Sequence, residues 1–349
     1  MEIKKENGAV DIVKLIMALL VIVIHKPVFY NEFLNYISGN IICSVAVPFF
    51  FAASSYFFFR KINRDKNDNV KLLNFEKRLF KLYLIWTIIY LPCIFVKYNT
   101  GNYESLNLKL FLGQLLLTVK NFFLSTSFVH LWYVNALMLS VAIIFFLYKK
   151  LDYRAICILC VMAAIFSRSI VLFCPDDSFV SKVYGYFPEV IKKTLEEGLL
   201  FTSGGLLLSQ IGAEKKKIGY GVSAAVISMI LLVSFGALNF RAENKVIEIL
   251  LQLLAFINAS ALLSVCLGIE LKPSKAYGVI RKYSTLIYFS HLLMMSEVFR
   301  FLAFKTGITA FTNNNPLIYL ITLTVSVIVS TLIIFLSKKE KLSFLKNLY

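Results

Sequence analysis

Long apolar runs dominate this chain, and short polar breaks separate them. About 20 apolar residues in a helix cross a bilayer, so we read each run between breaks as one span. The runs lie at roughly 10–29, 37–59, 79–96, 131–148, 155–173, 196–212, 218–240, 246–270, 284–304 and 316–337. The pattern therefore predicts an all-α fold, a polytopic membrane helical bundle with about ten transmembrane helices.

Composition and charge support this class. Apolar residues make up 58% of the chain and charged residues 16%, which excludes an ordinary soluble domain. The net charge of +17 could suggest nucleic acid, but the basic residues cluster between apolar runs, as positive-inside loops do. We therefore predict the lipid bilayer and no nucleic acid as a partner. Most of the Lys and Arg residues face the cytoplasm if both termini are cytoplasmic, which makes a multi-pass protein of the cell membrane, typically a bacterial plasma membrane.

Two segments are not predicted to be simple transmembrane helices. The segment 104–124 has a short apolar core interrupted by Gln114 and Lys120, which predicts an interfacial or re-entrant helix. The segment 174–195 is a long outer connection that serves either as a solvated connector or as a lid or binding surface.

The three histidines each lie in or beside an apolar run, at His25, His130 and His291. Ionisable groups in membrane segments are costly and are usually functional, and histidine exchanges protons near neutral pH. These residues indicate a chemical site within the membrane. The C-x-x-C pair Cys157 and Cys160 has no second ligand pair nearby, so we predict no metal site.

The first apolar run carries polar residues along one helical face. Lys14 and His25 are eleven residues apart, which brings them within about 20° on the helical wheel and about 16 Å along the axis. Asp11 lies about 60° from Lys14. Lys14 either reaches the inner interface with Asp11 as its partner or binds an anionic cytosolic donor. His25 is either a structural histidine or a general base.

Four local patterns resemble the membrane acyltransferase family known as acyltransferase 3. VDIVKLIMALLVIVIH is similar to the family's first helix, in which a basic residue and ten others precede a histidine, here Lys14 and His25. VPFFFAASSYFFFRK resembles its second helix, with Ser55 where glycine is common. HLWYVNAL and LIYFSHLLM are similar to its His-x-Trp-Tyr and late Tyr-Leu-x-His segments. The resemblance covers essentially the whole chain, giving a membrane acyltransferase domain at 7–337 and a short basic cytoplasmic tail at 338–349.

The resemblance implies transfer of an acyl group, usually acetyl from acetyl-CoA, to a hydroxyl of a surface or lipid-linked carbohydrate. Acyl-CoA would then be a substrate, with no bound cofactor. His25 would be the catalytic base on the acceptor side and Lys14 a donor contact. The supporting donor-side residues are expected to be Asp11, Ser54, Tyr288 and His291, with His291 in the inner half of its span.

The acceptor side is expected to include His130, Trp132, Tyr133 and Arg168. Trp132 and Tyr133 are alternatively interfacial anchors, and Ser54 is alternatively a small packing residue. Arg168 is expected to pair with Asp176, Glu196 or Glu197, or to contact an anionic acceptor.

Two other classes fit a helical bundle with buried polar groups. A transporter or flippase for a small molecule or glycan precursor would not consume acetyl-CoA. A sensor or scaffold would use the same groups as structural pairs. No nucleotide-binding loop is visible in the sequence, which disfavours an ATP-driven pump.

Overall fold

The computed structural model describes residues 7–26, 28–64, 66, 68–98, 108–212, 218–293, 306–307 and 315–349. Within these ranges every regular element is helical, and no strand occurs. The all-α prediction is therefore confirmed.

The helices follow the apolar runs, and polar residues cap several of them. The side chain of Asn7, for example, accepts a hydrogen bond from the Val10 amide at 3.1 Å and begins the first helix. The α-helices are α1 (Gly8–His25), α2 (Glu32–Asn35), α3 (Ala46–Phe59), α4 (Asn69–Tyr98), α5 (Leu108–Leu124), α6 (Trp132–Tyr148), α7 (Tyr153–Phe173), α8 (Phe179–Gly185), α9 (Glu189–Lys193), α10 (Leu199–Ile211), α11 (Ile218–Ala242), α12 (Lys245–Gly268), α13 (Lys275–Leu292) and α14 (Asn315–Leu336). Short π- or 3₁₀-helical turns lie at Tyr36–Ile42, Cys43–Val45, Val129–Leu131, Thr194–Gly198 and Glu340–Leu348.

Seven helical segments of the described ranges are long and apolar enough to cross a membrane, so this is a multi-pass membrane protein. They are Gly8–His25, Glu32–Phe59, Phe111–Tyr148, Tyr153–Phe173, Ile218–Ala242, Lys245–Gly268 and Pro316–Leu336. The other predicted spans, 79–96, 196–212 and 284–304, correspond to α4, α10 and α13. The part of the predicted span 284–304 that follows residue 293 lies outside the described residues. The count of ten and the cytoplasmic placement of both termini stay predictions.

Helices α1 and α13 pack side by side and run in the same direction. Near their starts, the Arg281 guanidinium donates hydrogen bonds of 2.8 and 2.6 Å to the two carboxylate oxygens of Asp11. At their other ends, the rings of His25 and His291 lie 5.3 Å apart, centroid to centroid. In the predicted order of ten spans, α1 is the first span and α13 the ninth. Odd-numbered spans cross the membrane in the same direction, so the two helices should run parallel.

Helices α3 and α6 also run parallel to each other. The ring of Phe51 lies 5.9 Å from that of Trp132 at one end, and Phe59 lies 6.1 Å from Tyr148 at the other. The N-terminal end of α6 meets the C-terminal ends of α1 and α13. One helix N-terminus and two helix C-termini therefore lie at the same level of the bundle.

Three segments outside the predicted spans are ordered as helices. The predicted interfacial segment 104–124 contains α5, and its interfacial placement stays a prediction. The outer connection 174–195 contains α8 and α9 and is not an irregular loop. In the tail 338–349, Leu348 is buried, and its carbonyl accepts a hydrogen bond from the Trp86 indole at 3.2 Å.

Close contact between α3 and α10 gives a direct test of this packing. A Cβ atom on Gly205 would lie 2.6 Å from the Tyr56 amide nitrogen, and closer still to Ser55 Oγ and the Ala52 carbonyl. We expect Gly205→Ala to lower the thermal unfolding temperature in detergent, because overpacking costs about 1–3 kcal/mol.

Gly219→Ala on α11 is the matched control, since no atom of the described residues lies within 4 Å of its added methyl group. Alanine is favoured over glycine in a helix by about 0.5–1 kcal/mol, so the control should unfold no earlier than wild type. Equal unfolding temperatures for Gly205→Ala and wild type would contradict this packing.

Candidate active site

All three histidines of the chain meet at the junction of α1, α6 and α13. The ring of His291 lies 5.3 Å from that of His25 and 5.6 Å from that of His130. His25 ends α1, His130 lies in the turn before α6, and His291 lies near the end of α13. We call these three residues the histidine cluster. The sequence assigned them to separate donor and acceptor sides, whereas the structure makes them one site.

The expected position of His291 was wrong because α13 begins earlier than predicted. The helix starts at Lys275, so His291 lies about 24 Å along it. That distance brings His291 level with His25 at the far end of α1. His25 and His291 therefore lie at one level, although the sequence placed His25 near the outer end of its span and His291 in the inner half of its own.

The cluster combines one accessible imidazole with two enclosed ones. His130 and His291 are 2% and 0% exposed, whereas His25 is half-buried. His291 Nδ1 lies 2.6 Å from the Tyr288 carbonyl, which can only accept a hydrogen bond, so Nδ1 carries the proton and Nε2 the lone pair. A substrate from outside the bundle would reach His25 first.

Three ring nitrogens of the cluster are buried and have no hydrogen-bond partner among the described residues. They are Nε2 of His291 and both ring nitrogens of His130. Buried polar atoms are almost always satisfied, so each exception needs an explanation, such as a bound ligand or water. These nitrogens are the polar atoms of the cluster that are open to a hydrogen bond with a polar group.

Two tyrosines hold the backbone and rings of the cluster in place. The Tyr288 hydroxyl donates a hydrogen bond to the His130 carbonyl at 2.9 Å. The ring of Tyr90, on α4, lies 4.7 Å from that of His130. Sequence reasoning missed Tyr90, although Tyr83, Trp86 and Tyr90 follow helical spacing on one face of α4 and are all buried.

Ser54 and Tyr133 form a hydroxyl pair next to the cluster. Their oxygen atoms are 3.1 Å apart, and the Tyr133 ring lies 5.6 Å from that of Tyr288. The packing role belongs instead to Ser55, which is fully buried and donates to the Thr202 carbonyl at 2.8 Å. The two adjacent serines therefore have different contacts, Ser54 with the Tyr133 hydroxyl and Ser55 with the Thr202 carbonyl.

Lys14 lies at the other end of α1, and its expected partner is engaged elsewhere. Asp11 pairs with Arg281 through two hydrogen bonds, so the prediction of an Asp11–Lys14 pair was wrong. The Lys14 ammonium lies 5.6 Å from the centre of the Phe57 ring. It makes neither a hydrogen bond nor an ion pair with the described residues, although the charge of Asp11 and, less strongly, those of Arg281 and Arg78 act on it.

Arg168 does not join the histidine cluster. Its guanidinium forms a 2.9 Å ion pair with Glu248, between α7 and α12. The expected pairing with Asp176, Glu196 or Glu197 was therefore wrong. Neither of the two helices joined by this pair carries a histidine.

Trp132 contacts a charged group of the outer segment. The Lys193 ammonium lies 5.8 Å from the centre of its indole ring and pairs with Glu197 at 3.1 Å and Glu196 at 3.4 Å. Burial lowers the pKa of Lys193, but the two glutamates outweigh burial and raise it above the usual value. Lys193 therefore stays charged above Trp132.

The described residues contain no group of three or more His, Cys, Asp or Glu side chains arranged to hold a metal ion. The cluster places the half-buried imidazole of His25 beside the buried imidazole of His291, with ring centres 5.3 Å apart, and imidazoles can accept and release protons near neutral pH.

Comparison with curated proteins finds two relatives, both described as an amino-acid racemase of Enterococcus faecalis. One is 33% identical over 149 residues, which is 42% of this chain and 19% of the relative. The other is 24% identical over 155 residues, which is 43% of this chain and 21% of the relative. The chain thus spans about a fifth of the length of these relatives. No solved structure matches significantly.

The family comparison covers nearly the whole chain. The model of the family Acyl_transf_3, described as an acyltransferase domain, matches residues 7–335. That range contains the histidine cluster, the α1–α13 contact and Lys14. The chain belongs to the acyltransferase 3 family of membrane acyltransferases.

Proposed function

We propose that the protein transfers an acyl group, with acetyl as the first candidate, from cytosolic acyl-CoA to a hydroxyl of a carbohydrate or glycolipid. The acceptor lies on the far side of the cell membrane. The observation that carries this proposal is the histidine cluster, in which the one half-exposed imidazole stands at the end of the helix that carries Lys14.

His25 is the general base of the proposed reaction. It takes the proton of the acceptor hydroxyl while that oxygen attacks the thioester carbonyl carbon. The carbon–sulfur bond then breaks, and the CoA thiolate takes the proton from His25. The products are an ester and the free thiol of CoA, and His25 returns to its neutral form.

His291 stabilises the protonated form of His25 during this cycle. Its Nδ1 proton is committed to the Tyr288 carbonyl, so its lone pair on Nε2 remains in the cluster. With ring centres 5.3 Å apart, this lone pair can stabilise the imidazolium that His25 becomes. The same arrangement disfavours a second proton in the buried cluster, because like charges repel strongly there.

The donor binds at the opposite end of α1. Because Asp11 is paired with Arg281 and Lys14 has no ion pair with the described residues, Lys14 can contact the phosphates of CoA, with Arg78 as a second positive charge nearby. Lys14 and His25 are separated by about 16 Å along the helix. The extended arm of an acyl-CoA would cross that distance from the cytosolic side to the cluster.

Loss of the base should stop the reaction without unfolding the protein. We expect His25→Ala to reduce thiol release from acetyl-CoA in proteoliposomes by at least about 10²-fold, since general-base catalysis contributes about 10²–10⁴-fold. The assay is run with and without an extract of the host's surface glycans as acceptor. Wild-type turnover should rise with the extract.

Ile16→Ala is the control for this variant, because Ile16 lies on the same helix and is 47% exposed. It should retain wild-type turnover. Full activity in His25→Ala would eliminate His25 as the base.

Lys14 should affect donor binding more than the chemical step. We expect Lys14→Ala to raise KM for acetyl-CoA about tenfold or more, since a hydrogen bond to a charged group contributes about 1.5–3 kcal/mol. Lys14→Arg should retain most of the affinity because it keeps the charge. Initial rates over a range of acetyl-CoA concentrations separate KM from kcat.

Lys150→Ala removes an equal charge from an exposed position after α6 and should leave KM unchanged. A Lys14→Ala enzyme with unchanged KM and reduced kcat would place Lys14 outside the donor site.

Transport of a small amino acid is the second candidate, and the two relatives described as amino-acid racemases favour it. In this case labelled amino acids would enter proteoliposomes without acyl-CoA, and no thiol would be released. Uptake that survives His25→Ala, together with absent thiol release, would establish the transporter in place of the acyltransferase.

A further inference from the structure

The Tyr90 hydroxyl is inserted into the hydrogen-bond ladder of α13. It donates to the Phe289 carbonyl at 2.7 Å and accepts from the Leu293 amide at 2.9 Å. In an α-helix these two backbone groups would bond to each other, because residue i+4 donates to residue i. A side chain placed in this position opens the helix locally.

The opened turn is the one that carries His291. The Leu293 amide also reaches back to the Ser290 carbonyl, three residues before it, so the regular pattern ends there. His291 lies between the two backbone groups that Tyr90 separates. Its orientation therefore depends on a hydroxyl from another helix.

The same hydroxyl also influences His130. The Phe289 carbonyl is near enough to act on the His130 imidazole, yet the two make no hydrogen bond of normal geometry. Tyr90 takes this carbonyl through its hydroxyl, while its ring lies 4.7 Å from that of His130. Among the described residues, neither ring nitrogen of His130 has a hydrogen-bond partner.

We propose that Tyr90 is a positioning residue for the histidine cluster. Its hydroxyl holds α13 open at His291, and its ring packs against the imidazole of His130. Its role in turnover rests on the proposed acyl transfer, whereas its effect on the two imidazoles does not.

Tyr90→Phe tests the proposal because it removes the hydroxyl and keeps the ring. The freed Phe289 carbonyl and Leu293 amide can then bond to each other, so the variant should fold. We expect kcat for thiol release to fall about tenfold, the effect of one hydrogen bond, while KM for acetyl-CoA is unchanged. In ¹⁵N-histidine spectra, the ring signals of His130 and His291 should shift.

Tyr83→Phe is the matched control on the same face of α4. The Tyr83 hydroxyl also bridges two backbone groups, donating to the Phe122 carbonyl at 3.2 Å and accepting from the Ser127 amide at 3.0 Å. Its loss should leave kcat and the histidine signals as in wild type. Thermal unfolding in detergent would verify that both variants fold.

The spectra decide the proposal independently of turnover. If the Tyr90→Phe histidine signals superimpose on those of wild type, or if Tyr83→Phe shifts them equally, Tyr90 does not position the cluster. If wild type releases no thiol but Tyr90→Phe alone shifts the signals, the proposed transfer fails while the positioning role of Tyr90 stands.

Discussion

The contact between α1 and α13 is the interaction on which the site depends. One end is fixed by the Asp11–Arg281 pair, and the other end carries His25 and His291. A shift of one residue along either helix would move a side chain by about 1.5 Å and rotate it by about 100°. Such a shift would separate both pairs at once. Asp11 is only 3% exposed, so breaking its pair would leave a costly buried charge.

This geometry joins the two halves of the proposed chemistry through one rigid element. The cationic end of α1 and its imidazole end have a fixed separation, because both belong to one uninterrupted helix. Helix α13 matches that length from the other side and contributes the second imidazole. No moving loop is therefore needed to set the distance between the proposed donor contact and the proposed base. The substrate needs only a path between the helices.

Much of the helix content could be predicted from the sequence, because apolar runs of bilayer length are a strong local signal. The one-face arrangement of Lys14 and His25 followed from helical geometry alone. The partners of Asp11 and Arg168 could not be predicted this way, since Arg281 and Glu248 are distant in sequence and periodicity does not encode which helices touch. His291 was misplaced because Lys275, Arg281 and Lys282 make the start of α13 look like a loop. Tyr90 was missed because an aromatic residue in an apolar run gives no sign that its hydroxyl serves another helix.

The Asp11–Arg281 pair also constrains how the protein is made. Its partners are 270 residues apart in the chain, and domains emerge at about 5–20 residues per second during synthesis. Helix α1 therefore waits on the order of 15–50 s, by that rate, before its arginine partner leaves the ribosome. Throughout this interval a carboxylate destined for burial must stay at the membrane surface or be shielded by the insertion machinery. During biosynthesis of this bundle, α1 must therefore remain unpaired until α13, the last α-helix but one of the described residues, has been synthesised.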